Sequence, residues 1–151
     1  MREFNNINEI LDFAIGEEQA AVDFYIQLAA QSKNQQTKKI FLEYAEEEMR
    51  HKSNLLSIKE NGNFKMPDER VRDLKIAEYL VDVRPSANMS YQDALILAMK
   101  KEKAAFRMYS ALALQAEDPG VKAVLLNLAL EESKHKLRFE IEYDDFILKE
   151  N

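Results

Sequence analysis

Apolar residues recur three and four positions apart along most of this chain, the spacing of a helix with one buried face. Ile10, Ala14, Ala21, Tyr25 and Leu28 share a face over about residues 7–32. Phe41, Tyr44, Ala45, Leu55 and Ile58 do so over about 35–60. A third stripe, Ala94, Ala98, Ala105, Tyr109 and Leu112, starts near Ser90. A fourth, Val121, Leu125, Leu128, Phe139 and Tyr143, runs on towards the C-terminus. The stripes begin and stop at suitable residues. Asn6-Ile7-Asn8-Glu9 reads as a capping box, Ser90 as an N-cap, and Asp118-Pro119 as an N-cap followed by an N1 proline. Asn61-Gly62 reads as a helix stop.

Residues 63–89 break the periodicity, with Pro67, Pro85 and polar flanks marking loop. Within them, 74–81 predicts one short helix packed on the outside. A connection of this length can run along a bundle. The second and third long helices are then expected as parallel neighbours rather than a hairpin. The expectation is an all-α, single-domain chain over 1–151: a four-helix bundle with a long crossover between helices two and three.

Composition agrees. Three Gly and three Pro in 151 residues leave few turns for an all-β fold. There is no cysteine, which excludes disulfides, thiolate nucleophiles and cysteine-held metals. Glu3, Glu9, Asp12, Glu17, Glu18 and Asp23 exclude an N-terminal apolar leader, and no apolar run reaches bilayer length. The net charge of −6 argues against nucleic acid as a partner. A cytoplasmic protein with no membrane partner is the expectation.

The chemistry sits on the apolar stripes. Residues 14–56 align without a gap on 98–140, and 15 of the 43 positions are identical. Glu18 falls on Glu102, Tyr25 on Tyr109, Glu48 on Glu132 and His51 on His135, the chain's two histidines. All four glutamates interrupt a stripe that must face the core. A buried, unpaired carboxylate costs several kcal/mol, and four together repel one another. No Lys or Arg occupies the matching stripe positions. Four carboxylates would neutralise two divalent cations. Glu48 and His51, like Glu132 and His135, are three residues apart and project from one side of a helix. Each metal is expected to take one histidine and one terminal carboxylate, with two carboxylates bridging. The oxygen-rich, imidazole-containing set suits iron, with manganese as the alternative. Tyr25 and Tyr109, two turns beyond Glu18 and Glu102, are read as hydrogen-bonding a ligating carboxylate. Glu47 and Glu131 also repeat, but each is rotated about 100° from its neighbouring ligand. They are read as solvated or interfacial.

These residues resemble the di-iron domain of the rubrerythrin family, within the ferritin-like superfamily. The likeness covers about residues 7–145. It rests on Glu18…Tyr25, Glu48-Met-Arg-His51, Glu102…Tyr109 and Glu132-Ser-Lys-His135. It implies a ferritin-like bundle with two iron ions on Glu18, Glu48, His51, Glu102, Glu132 and His135. It also implies reduction of hydrogen peroxide or O2. Rubrerythrins proper usually carry a cysteine-bearing rubredoxin domain, and these 151 residues hold no cysteine, so a separate redox protein is expected as electron donor. They also have an extra glutamate, tied to a redox-dependent ligand switch, where this chain has Ala105. Ferroxidase and iron-storage activity, or a metal-stapled structural domain, are the alternatives. A homodimer is expected, with exchange of halves through residues 63–89 as its variant.

Overall fold

The computed structural model describes residues 3–81, 84–86 and 88–150. Asp82, Val83 and Ala87 of the connection lie outside the described residues. Helix α1 spans Ile7–Gln31, α2 Gln35–Asn61, α3 Asp68–Leu74, α4 Tyr91–Gln115 and α5 Pro119–Glu150, with a 3-10 turn at Ile76–Tyr79. No strand occurs among the described residues. The chain is an all-α, ferritin-like bundle.

Local chemistry sets the ends. The Asn6 side chain accepts from the Glu9 N–H at 2.9 Å, and the Glu9 carboxylate accepts from the Asn5 N–H at 3.0 Å. The reciprocal contact thus lands one residue before the cap. Asn34 accepts from the Gln36 and Thr37 N–H groups, Ser90 from Asp93, and Asp118 from Gly120 and Val121. Gly62 ends α2 in the left-handed conformation, φ 63°.

α1 packs closely on α2, and α4 on α5; thinner contacts join α1 to α4 and α2 to α5. Cross-helix pairs fix the directions. Lys52 reaches Gln19 while Lys59 reaches Asp12, so α1 and α2 are antiparallel. Thr37 reaches Glu142 while His135 lies against Glu48, so α2 and α5 are antiparallel too. The order around the bundle is therefore α1, α2, α5, α4. α2 and α4 are parallel, but they stand diagonally across the core and are not the neighbours the sequence suggested. Chain order constrains direction through loop length but not position around the ring.

The 74–81 segment also differs from expectation. α3 occupies 68–74, and the chain turns at Lys75, φ 50°, into the 3-10 turn. The turn lets both Val71 and Ile76 be buried, each 1% exposed, which one continuous helix of this short length would not allow. Onward, the connection follows the α1–α4 side. Arg107 stacks over Tyr79 at 4.7 Å, Lys101 donates to the Val81 carbonyl at 3.0 Å, and Gln31 donates to the Met89 carbonyl at 3.0 Å.

The core is split in two. One apolar cluster joins Ile10, Leu11, Leu55, Leu112, Leu125 and Ile76 at one end. The other joins Tyr25, Leu28, Phe41, Leu95, Ala98 and Phe139. Between them lies a layer of buried acids and histidines. A fully buried Leu or Phe stabilises by roughly 1.5–3 kcal/mol. Two such clusters outweigh the several kcal/mol that an ionisable layer costs.

Candidate metal centre

The four long helices bring all six repeated ligand candidates into that layer. Glu18 comes from α1, Glu48 and His51 from α2, Glu102 from α4, and Glu132 and His135 from α5. Each is between 1% and 3% exposed. No Lys or Arg ion pair to these six is found among the described residues.

The six residues converge by one atom each. His51 Nδ1 lies 2.8 Å from Glu132 Oε1, 3.5 Å from Glu18 Oε2 and 3.7 Å from Glu48 Oε1. His135 Nδ1 lies 3.0 Å from Glu48 Oε1 and 3.8 Å from Glu102 Oε2. Despite these approaches, none of Glu18 Oε2, Glu48 Oε1, His51 Nδ1, Glu102 Oε2, Glu132 Oε1 and His135 Nδ1 has a hydrogen-bond partner. Buried polar atoms are nearly always paired. Six orphans aimed at one volume fit cations. The donors form two sets, Glu18, Glu48, His51, Glu132 and Glu48, Glu102, Glu132, His135, each with its atoms within 4.8 Å of one another. Glu48 and Glu132 belong to both.

The cluster's acidity reflects the crowding. Burial pushes Glu18 and Glu132 well above the ordinary carboxylate range, with repulsion from neighbouring acids adding to it. Burial opposes ionisation of Glu48 as well, but the neighbouring Glu18, His135, His51 and Glu132 side chains outweigh it and hold that carboxyl well down. Burial alone would lower the histidines. The surrounding carboxylates reverse this, raising His51 to about 10 and His135 to about 12.

The tyrosines differ. The Tyr109 hydroxyl donates to Glu18 Oε1 at 2.5 Å, reaching from α4 to the other half's carboxylate. Burial and the Glu18 charge push its phenol well up. Tyr25 is equally buried, but its contacts are aromatic: edge-on to His135 at 6.3 Å and tilted against Phe139 at 5.2 Å.

Glu47 and Glu131 are not merely solvated. The Glu131 carboxylate meets His51 Nε2, and the Glu47 carboxylate meets His135 Nε2, each across the α2–α5 boundary. Both are about one-third exposed, 32% and 31%. The sequence carries a signal for them, since both repeat at the 84-residue offset. Rotation about a single helix does not reveal that the neighbouring helix presents a histidine there. Tyr44, a member of the second apolar stripe, also does more than fill the core. Its ring stacks on His135 at 3.9 Å, whereas the repeat places Leu128 at the matching position beside His51.

A family model described as rubrerythrin matches residues 9–143 of the 151. No curated protein matches the chain. The match spans nearly the whole sequence, and the chain belongs to the rubrerythrin family.

Proposed function

We propose that this rubrerythrin-family chain is a non-haem di-iron oxidoreductase that reduces hydrogen peroxide, or O2, with electrons from a separate redox protein. The observation that carries the reading is the set of six orphaned donor atoms in two groups sharing two carboxylates. In this reading Glu48 and Glu132, which belong to both donor sets, would help to hold both cations. Glu18 and His51 complete one position, and Glu102 and His135 the other. The donor chemistry favours iron or manganese over thiophilic metals.

Bound there, a pair of redox-active cations supplies Lewis acidity and two electrons. Hydrogen peroxide, two electrons and two protons give two waters. The chain's residues do the rest. Apolar clusters above and below keep bulk water out. Glu131 and Glu47 hold the imidazoles by Nε2, so that each Nδ1 faces inward. The Tyr109 hydroxyl donates to Glu18 Oε1 and fixes that carboxylate's rotation. The 151 residues hold no cysteine, so a thiolate-held electron-transfer centre must lie outside them.

Anaerobic loading with ferrous iron, then stopped-flow mixing with peroxide or with O2, tests the proposal. Two irons per chain and faster oxidation by peroxide are expected. Oxidation no faster than that of free ferrous ion would overturn the peroxidase reading. Iron uptake far beyond two per chain, with growth of a large particle, would assign storage instead.

A further inference from the structure

The 84-residue repeat breaks in one direction. At three aligned positions a ring in one half meets a leucine in the other: Phe41 and Leu125, Tyr44 and Leu128, Phe139 and Leu55. α2 and α5 run antiparallel, so all three rings fall on one side of the acid–histidine layer, with Tyr25 and Leu28. The three leucines fall on the other side, with Ile10 and Leu112. Each half supplies both rings and leucines. The sorting is by place in the fold, not by half.

The two histidines therefore face different walls. Tyr44 stacks on the His135 imidazole at 3.9 Å with 24° between the planes, and Tyr25 meets that imidazole edge-on at 6.3 Å. The aromatic contact found for His51 is the facing His135 ring, at 6.3 Å. The repeated tyrosines divide in the same sense. Tyr109 gives its hydroxyl to Glu18 Oε1, which leaves Oε2 for a cation, whereas Tyr25 gives its ring to His135.

An imidazole becomes electron-poor when its nitrogen ligates a divalent cation. The face of a phenol ring is electron-rich and attracts such a group, as it attracts a cation. Leu128 offers no equivalent attraction. The stack also holds the His135 ring against rotation, so less freedom is lost on ligation. Two cations held in part by the same Glu48 and Glu132 repel each other, so the second binds more weakly. The contrast between the walls decides which position comes first.

We propose that the two cation positions are unequal, with Tyr44 making the position completed by His135 the tighter and the first to fill. The inference rests on reading the layer as a two-cation site and is independent of the reaction carried out there. Tyr44 acts through His135 and is a positioning residue.

The chain has two histidines, so NMR of protein labelled with nitrogen isotope in histidine reports one signal set per position. His51→Gln assigns the sets. Zinc, which has no redox chemistry, is the probe. The first equivalent moves mainly the His135 signals, and the second moves those of His51. Tyr44→Leu, which copies Leu128, lowers affinity at the His135 position about tenfold and leaves the His51 position within twofold. Tyr44→Phe keeps the stack and the order of filling. A merely structural role for Tyr44 would weaken both positions together. Signals that move in step, His51 leading, an unchanged order in Tyr44→Leu, or a lost order in Tyr44→Phe overturns the proposal. Zinc that moves neither histidine overturns the two-cation reading itself, and this inference with it.

Discussion

Glu131 and Glu47 reach the histidines from outside the apolar core, each on a helix other than the histidine's own. The contact fixes which ring nitrogen faces inward. The hydrogen bond from His135 holds the Glu47 carboxyl below its ordinary range, so it stays an acceptor near neutral pH. Removing such a partner typically lowers metal affinity 10–100-fold. Glu131→Ala should do so at the position completed by His51, with Glu131→Gln milder because an amide oxygen still accepts. Competition against a chelator of known affinity reads both; an unchanged affinity in Glu131→Ala removes the positioning role. Tyr109→Phe tests the other polar support. It deletes a buried hydrogen bond to an acid, which is worth about 1.5–3 kcal/mol where the acid is charged. Tyr25→Phe should cost less, since the contacts of Tyr25 are aromatic. Urea unfolding of the two metal-free variants measures the difference, and equal losses would contradict it.

At the scale of elements, short polar residues decide where helices stop. Gly62 has φ 63° and open space where a Cβ would stand, so Gly62→Ala should meet no clash. Its cost should be that of the left-handed backbone alone, about 1 kcal/mol. A shift in the denaturant midpoint with unchanged slope would report this. No loss of stability would mean the cap relaxes. The caps Asn6, Ser90 and Asp118 were legible because their side chains act on backbone two or three residues away. The acid–histidine layer was legible for another reason. Glu18, Glu48, Glu102 and Glu132 interrupt apolar stripes, and burial against charge leaves few solutions. What escaped the sequence depends on neighbours in space. Glu47 and Glu131 sit on helix flanks whose meaning changes once α5 lies beside α2. The diagonal placement of α2 and α4, and the turn at Lys75, depend on how the connection packs over α1 and α4.

At the scale of the whole molecule, the buried layer ties stability to pH. His51 and His135 bind protons more tightly folded, at about 10 and about 12, than at their ordinary 6.5. That stabilisation is complete below pH 6.5 and is lost as pH rises through the folded values. Glu18 and Glu132 are raised above 4.5, so folding favours their protonated forms. Their contribution is present below 4.5 and is likewise lost as pH rises. Glu48 is depressed and acts oppositely, but only as pH falls below 4.5. Between pH 5 and 10 the native metal-free protein therefore holds more protons than the unfolded chain. Its stability must fall with rising pH, by up to about 1.4 kcal/mol per pH unit for each extra proton. Cations in the layer would replace those protons. Loading should then release protons and strengthen as pH rises. The stabilisation conferred by metal, measured as the difference between loaded and metal-free unfolding free energies, should widen from pH 6 to pH 8. A metal-free protein whose stability is flat over that interval would show that the six residues are not buried together. A flat difference between the two forms would show that metal does not bind at the protonated cluster.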